Sequence, residues 1–205
     1  MSNDAKQIRF APNGALYVAT GEATPPVDVD GAPTGYQDLG YADEGGVTIT
    51  PSITTNPVNA WQSAVPVLYN VTAAAFQIKA TMIQFNKLTT ELFFGSEWKA
   101  VEGKTGLYRL DLSSNPALKE ISLVVDWYDA SVKYRAVISR AMISDRGAIQ
   151  LQRAENGKFE LTFDALDAGG NLGYVLTNDA SVSDGTEDSG TQGLAAPQTQ
   201  SLKKS

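Results

Sequence analysis

The feature that most constrains this chain is a run of 34 consecutive residues without a charged side chain, from Gly45 to Ile78. Charged residues make up 19% of the sequence, so a neutral stretch of this length is unusual. It is too polar for a transmembrane helix, which needs about 20 predominantly apolar residues. It nevertheless contains apolar residues that a solvated loop would expose to water. We therefore expect this stretch to lie against a second copy of the chain, and the alternative is a long hairpin within the core.

The first half of this stretch has the alternation of a β-strand. Val47, Ile49, Pro51 and Ile53 alternate with Thr and Ser, which predicts an edge strand, because proline supplies no ladder N–H. The residues from Val65 to Thr72 predict a returning strand. No lysine protects the edge of this hairpin, so we expect pairing with another subunit. The candidate contact residues are Val47, Ile49, Pro51, Ile53, Pro57, Val58 and Trp61, and the predicted hairpin tip is Asn56-Pro57.

The sequence before and after the hairpin predicts short strands, one loop and one helix. A strand is expected at Ala15–Thr20, and the Pro- and Gly-rich residues 21–35 predict a loop. Asn86 is a typical helix N-cap and Gly95 a typical stop, which predicts a helix from Lys87 to Phe94.

From there the pattern is strands and turns. Further strands are predicted at 106–112, 121–127, 132–138, 148–153, 159–163 and 172–176, with a hairpin turn at Asn156-Gly157. About nine short strands and one helix fit a mainly β fold, a β-sandwich or a partly closed barrel. We expect one domain over residues 1–178, followed by a flexible polar tail over residues 179–205.

Composition argues against catalysis. The chain contains neither Cys nor His, which removes the thiol nucleophile, the commonest general base and the commonest transition-metal ligands. No acidic cluster has the spacing of a calcium loop, and no phosphate-binding loop motif is present. The N-terminus lacks the apolar run of a secretory signal, and no stretch predicts a membrane helix. We expect no enzymatic activity, no metal, no cofactor and no membrane association.

The distribution of charge is more informative than the net charge of −7. Residues 10–78 carry −6 and residues 159–202 carry −7, whereas residues 79–158 carry +3. Without a strongly basic surface the chain is a poor candidate for tight binding of nucleic acid. It can still face nucleic acid without holding it, because like charges repel.

A set of short motifs occurs in order along the first half of the chain: Leu39-Gly40-Tyr41, Asp43-Glu44-Gly45-Gly46-Val47, Ala60-Trp61-Gln62, Asn86-Lys87 and Glu91-Leu92-Phe93-Phe94-Gly95. Together these motifs resemble the major tail proteins, or tail tube proteins, of long-tailed, non-contractile bacteriophages. Asp145-Arg146-Gly147 with the Asn156-Gly157 turn is similar to the strand pair that closes those domains. The resemblance covers Gly14 to Leu176.

The resemblance implies a tail-tube-type β-sandwich or half-barrel with one flanking helix. Six copies are implied to join their sheets into a ring, and rings to stack into a tube through two arms. The hairpin arm would be about residues 45–66, and the N-terminal arm about residues 2–14, with Ile8 and Phe10 as its candidate contacts. Relatives often carry charges in the hairpin arm, whereas this chain has none there.

The implied partners are other copies of the chain, a tape measure protein, and tail terminator or distal tail proteins. DNA would pass through the bore without specific binding during ejection, and we expect some acids of residues 10–44 or 159–188 to face it, although the sequence does not single out which ones. The implied location is the virion tail, assembled in the cytoplasm of a bacterial host.

Three alternatives remain open at this point. The first is the inner-tube protein of a contractile tail or injection system, which shares this architecture. The second is a monomeric carbohydrate-binding β-sandwich that uses surface tryptophans. The third is a head-decoration or neck protein of the same virion.

Overall fold

The computed structural model describes residues 5–116 and 118–183. The strands are β1 (Asn13–Ala19), β2 (Gln37–Asp38), β3 (Ala42–Val58), β4 (Leu68–Met82), β5 (Trp98–Ala100), β6 (Tyr108–Leu110), β7 (Ile121–Asp129), β8 (Val132–Arg146), β9 (Phe159–Ala165) and β10 (Tyr174–Thr177). One α-helix, α1 (Lys87–Phe94), lies between β4 and β5, and short 3₁₀ turns occupy Ala5–Gln7 and Ala180–Val182. The expectation of a mainly β fold with one short helix and a long hairpin is confirmed.

The main sheet is antiparallel and curls so that its two edges approach each other. Its strand order is β2-β1-β7-β8-β9-β4-β3, with β10 beside the first part of β8. The edge strands β2 and β3 are separated in the chain by only Leu39, Gly40 and Tyr41. Since an extended chain spans about 3.5 Å per residue, the two edges are within about 14 Å of each other at this point. The sheet is therefore a partly closed barrel rather than a flat layer.

The core fills the inside of this curl. Leu16 of β1 and Ile78 of β4 come from strands near opposite edges of the sheet, yet they belong to one buried apolar cluster. Leu92 and Phe93 of α1 join the same cluster, and Phe93 packs edge-on against Phe159 with ring centroids 5.3 Å apart. The helix thus covers the open end of the curl.

Local signals account for the position of α1. Asn86 has extended backbone angles, and its Oδ1 accepts a hydrogen bond from the Thr89 N–H at 2.8 Å. Gly95 ends the helix with φ of 68°, a left-handed conformation that favours glycine. The Asn86 Nδ2 also donates to the Leu39 carbonyl oxygen at 2.8 Å, which ties the helix to the joint between the sheet edges. The predicted helix bounds are confirmed.

The outer face of β7 and β8 is covered by the loop between β1 and β2. Arg135 of β8 is 1% exposed and donates to both carboxylate oxygens of Asp126 at 2.7 Å. Its guanidinium also donates to the carbonyl oxygens of Asp28 and Gly31, at 3.0 and 2.6 Å. The Pro- and Gly-rich segment predicted as a connector is therefore fixed to its own domain by a buried arginine.

The predicted tip of the long hairpin is wrong. Asn56 and Pro57 lie inside β3, where they pair with Asn70 and Tyr69, and the connection runs over residues 59–67. Proline is tolerated inside this strand because β3 is an edge strand and the proline nitrogen faces away from β4.

The strand predicted at Ala148–Arg153 is also wrong, and so is the hairpin at Asn156-Gly157. Residues 148–153 form no strand, because both sides of β9 are already occupied by β4 and β8. The strand predicted over residues 106–112 is shorter, Tyr108–Leu110, and pairs with β5 outside the main sheet.

Candidate functional site

The most unusual surface of the molecule is the outer part of the long hairpin, residues 50–76, which we call the arm. No side chain from Thr50 to Ala75 is buried. The arm is a two-stranded ribbon, since β4 pairs with β9 only from Gln77 to Met82. An isolated two-stranded ribbon is marginally stable in water, so the arm lacks the packing that stabilises the rest of the sheet.

The strand register divides the arm into two faces. Ile49 and Ile78 pair at the base and pack towards the core, and alternate residues beyond them continue the same face. A register shift between Thr54 and Thr55 makes Thr72 an extra residue on β4, so the alternation on that strand restarts there. The face continuous with the core, which we call the apolar arm face, consists of the pairs Pro51–Phe76, Ile53–Ala74, Thr55–Val71 and Pro57–Tyr69.

The opposite face of the arm is polar along most of its length. It presents Thr50, Ser52, Thr54 and Asn56 of β3, and it ends in the apolar pair Val58–Leu68 beside the connection. The arm is therefore amphipathic although it carries no charge. Apart from Phe76, which packs against the core, the side chains of the apolar arm face are exposed among the described residues. An exposed apolar face of this kind is typical of a surface that is covered in an assembly.

The candidate residues lie at different heights along the hairpin. Val47 and Ile49 are half-buried against the core at its base. Pro51, Ile53 and Pro57 lie on the apolar arm face, where Ile53 is 68% exposed. A separate group lies near the tip: Val58 is on the opposite face, and Trp61, in the connection, is 97% exposed.

Sequence reasoning missed the exposed residues that lead into the returning strand and lie on it. Val65, Val67, Leu68, Tyr69 and Val71 are exposed over more than half of their surface. The signal was available, because Val67, Tyr69 and Val71 alternate and no charge interrupts them. They were not selected because the hairpin arm was expected to end at about residue 66, before most of the returning strand.

The N-terminal segment is anchored through Arg9 and the backbone of Phe10, whereas its apolar side chains are exposed. Arg9 donates from Nε and Nη2 to the two carboxylate oxygens of Asp179, at 2.8 and 2.9 Å. The Phe10 N–H donates to Asp129 Oδ2 at 2.9 Å. The candidate residues Ile8 and Phe10 are exposed, by 63% and 71% of their surface. Of the predicted N-terminal arm, Asn13 and Gly14 belong to β1, and Ser2 to Asp4 lie outside the described residues.

Asp179 joins the two ends of the described chain. It is buried, and it accepts hydrogen bonds from Arg9 and the Tyr134 hydroxyl. The hydrogen bonds from Arg9, first, and from Tyr134 hold the pKa of this carboxyl well below its ordinary value of 3.8. The first residues of the predicted C-terminal tail are thus anchored as far as Ser183, and the remainder, residues 184–205, lies outside the described residues.

The other two tryptophans are engaged inside the domain. The Trp98 Nε1–H donates to Thr90 Oγ1 at 2.8 Å, and Trp127 stacks on Tyr134 with ring centroids 5.2 Å apart. Trp61 is the tryptophan that presents its ring to solvent.

A cavity of about 220 Å³ lies beside α1, with Leu88, Leu92 and Arg146 among its walls. Burial lowers the pKa of Arg146, whose Nε donates to the Leu92 carbonyl oxygen at 3.2 Å, so this arginine holds the last turn of the helix. Within residues 5–116 and 118–183 no group of three or more acidic side chains is placed to hold a metal ion. No helix in the same ranges is long and apolar enough to cross a bilayer.

Comparison with protein families decides the identity of the chain. The family model described as phage tail tube protein matches residues 1–186. The chain belongs to the phage tail tube protein family. This tail tube protein has no match among curated proteins. A solved structure described as the virion of a native gene transfer agent particle aligns over 82% of this chain and 96% of the other, with 9% identity and a TM-score of 0.40.

Family membership confirms the resemblance at the level of tail tube proteins. It makes this tail tube protein a structural component of a phage virion, in a family that is not known for enzymes. The β3–β4 hairpin is the longest paired segment of the sheet, and its outer part, the arm, has no buried side chain from Thr50 to Ala75.

Proposed function

We propose that this tail tube protein assembles with itself into six-membered rings that stack into the tube of a long-tailed, non-contractile phage. The observation that carries the proposal is the arm. It projects from the sheet with most of its apolar face exposed among the described residues, and no charged residue occurs along it. Covering such a surface with a second copy removes apolar area from water, which is worth about 25 cal/mol per Å².

A ring and a tube follow from the symmetry of such contacts. A contact between two different surfaces of the same protein closes into a ring when its rotation divides a full turn, and repeated stacking gives a tube. The arm supplies one of the two surfaces needed, and the exposed residues Ile8 and Phe10 are candidates for a further contact between rings. Val47 and Ile49 would set the direction of the arm from its base, whereas Pro51, Ile53, Pro57, Val58 and Trp61 would contact the second copy.

The bore of the tube would conduct DNA during ejection. The net charge of −7 and the acidic residues of segments 10–44 and 159–188 suit a lining that repels phosphate rather than binding it. Tape measure protein inside the growing tube, with tail terminator and distal tail proteins at its ends, would be the other partners. Assembly would take place in the host cytoplasm. The family match favours this function over a carbohydrate-binding monomer.

The experiment is electron microscopy of the purified full-length protein in negative stain, with sedimentation velocity over a concentration series. We expect rings with six-fold symmetry and tubes, in a proportion that grows with concentration. Dispersed particles of about 22 kDa at every concentration would contradict the proposal.

A further inference from the structure

The two edges of the arm differ in a way that bears on how copies join. The connection fixes the orientation of the backbone, because the Val67 N–H donates to the Val58 carbonyl oxygen at 2.9 Å. In an antiparallel strand, the N–H and C=O of one residue point to the same side, and the side alternates at each residue. Counting back from Val58, the even-numbered residues of β3 direct these groups at β4, and the odd-numbered residues direct them outward.

Both prolines of β3 fall in the outward set. Pro51 and Pro57 therefore remove two N–H donors from the outer edge of β3, and only Ile53 and Thr55 between them retain one. Proline at such positions is a recognised way to stop a strand from pairing with another chain. The free edge of β3 along the arm is protected in this way.

The edge of β4 has no such protection. Residues paired directly opposite the outward set of β3 also point their backbone groups outward, which gives Tyr69, Val71, Ala74 and Phe76. All four retain their N–H, and no proline or charged residue lies between Leu68 and Phe76. This edge is continuous with the part of β4 that pairs with β9, and beyond Gln77, where that pairing ends, no strand of the described residues pairs with it.

The sheet forks at this point, which leaves room beside the free edge. β10 lies on the same side of β8 as β9 does, but it pairs with β8 alone. An apolar cavity of about 100 Å³ separates Phe76 at the base of the arm from Tyr174 and Val175 of β10. The free edge of β4 therefore begins at an apolar gap in its own sheet, not at a packed boundary.

We propose that a second copy of this chain adds a strand to the arm along β4, at Tyr69–Phe76, and not along β3. The edge assignment rests on the proposed self-assembly and specifies which side of the arm takes part in it. The second copy supplies backbone hydrogen bonds to the four outward residues of β4, as in other cases of strand addition. The outer edge of β3, with its two prolines, stays outside the joined sheet.

A matched pair of proline substitutions tests the assignment. Ala74→Pro removes an outward N–H from β4, and Thr55→Pro removes one from β3, and neither N–H takes part in the pairing of β3 with β4. We expect Ala74→Pro to raise the concentration needed for assembly by about tenfold or more, since a lost hydrogen bond and the steric block act together. Thr55→Pro is expected to leave that concentration unchanged within about twofold. Sedimentation velocity and negative-stain microscopy measure both, and circular dichroism with thermal unfolding checks that each variant is folded.

The outcomes separate the edge assignment from the proposed function. The edge assignment is overturned if both variants assemble like the unsubstituted protein, or if Thr55→Pro is impaired as strongly as Ala74→Pro. Either result leaves the proposed tube assembly unaffected. If the unsubstituted protein never assembles, the proposed function fails, and the assignment fails with it.

Hydrogen exchange on the unsubstituted protein tests the edge assignment without any variant. In the assembly, the amides of Tyr69, Val71, Ala74 and Phe76 should exchange more slowly than in dispersed protein, whereas those of Ile53 and Thr55 should not change. The reverse pattern would overturn the assignment.

Discussion

Two long hairpins of the same sheet have opposite relations between charge and burial. The β7–β8 hairpin contains Asp126 and Arg135, and both are almost completely buried, at 2% and 1% exposure. The β3–β4 hairpin is without charge from Gly45 to Ile78, and its outer part is exposed. Charged side chains are usually exposed and apolar ones usually buried, and these two hairpins show the opposite arrangement.

The comparison separates charges that are paired inside the subunit from an apolar face that we propose is covered by a second copy. The buried charges of β7–β8 are compensated inside the subunit, by each other and by the carbonyl oxygens of the loop that covers them. The apolar arm face beyond Phe76 is exposed in the part of the chain that the structure describes, because the ribbon extends beyond the core. A charged side chain can be buried where its partners lie in the same subunit. An apolar face can be exposed in one subunit where, as we propose, a second copy covers it.

The largest effect is expected from breaking the internal pair. Arg135→Met leaves the Asp126 carboxylate buried without its partner, which should lower the free energy of unfolding by about 3–5 kcal/mol. The matched control is Lys133→Met on the same strand, which removes only an exposed ion pair with Asp30, worth at most about 1 kcal/mol. Urea unfolding followed by circular dichroism measures both. Equal effects would show that the buried pair is not what fixes the β7–β8 hairpin.

The second-largest effect is expected on assembly, with little change in the free energy of unfolding of the subunit. Ile53→Lys places a charge on the apolar arm face, so we expect assembly to be lost, whereas the free energy of unfolding should change by no more than about 0.5 kcal/mol. Ser52→Lys places the same charge one residue away on the polar face, and it should impair assembly less. Sedimentation velocity and urea unfolding give the two quantities. A tube that tolerates Ile53→Lys as well as Ser52→Lys would mean that the apolar arm face is not an interface.

A moderate effect is expected at the joint that closes the sheet. Asn86→Ala removes the cap of α1 and the bond from Nδ2 to the Leu39 carbonyl oxygen, and it should cost about 1 kcal/mol, up to about 2. Asn86→Ser keeps a side-chain oxygen that can cap the helix and loses the donor to Leu39, so it should cost less. Thermal and urea unfolding measure these changes, and assembly should be retained by both variants under conditions where they are folded. Equal losses for the two variants would assign the whole effect to the Leu39 contact.

The smallest effect concerns pH and the anchoring of the chain ends. The pKa of Asp179 is lower in the folded protein than its ordinary value of 3.8, so this carboxylate contributes stability above that value and loses the contribution as pH falls through the folded pKa. The difference in melting temperature between the unsubstituted protein and Asp179→Asn should therefore be greatest near neutral pH and shrink below about pH 4. A difference that is constant from pH 7 to pH 3 would contradict the role of the ion pair with Arg9.

The sequence was most informative where structure is decided locally. The helix over residues 87–94 followed from Asn86 and Gly95, because capping depends on residues within one turn of each end. The exposed hairpin followed from alternation and from missing charge, which are also local properties. The strand at Ala148–Arg153 was predicted on equally good local grounds and does not form, because strands need a free neighbour and both sides of β9 are taken.

The contacts that organise the ends and the outer face could not be predicted. Arg9 and Asp179 are 170 positions apart, and Arg135 reaches a loop more than 100 positions earlier. No pattern in the sequence distinguishes these residues from other surface charges, since their roles depend on which strands become neighbours. The sequence predicted that the candidate site lies on the hairpin. It did not predict which residues form the apolar arm face and the free edge, because these depend on the strand register and on the bulge at Thr72.

The most direct test of the central claim is a cryo-electron microscopy reconstruction of the purified assembly, at a resolution that shows side chains. We expect a tube of six-membered rings in which Pro51, Ile53, Tyr69 and Val71 of every subunit are covered by another copy. An arm that is folded back on its own domain, or that projects into solvent from a particle containing one copy, would contradict the account.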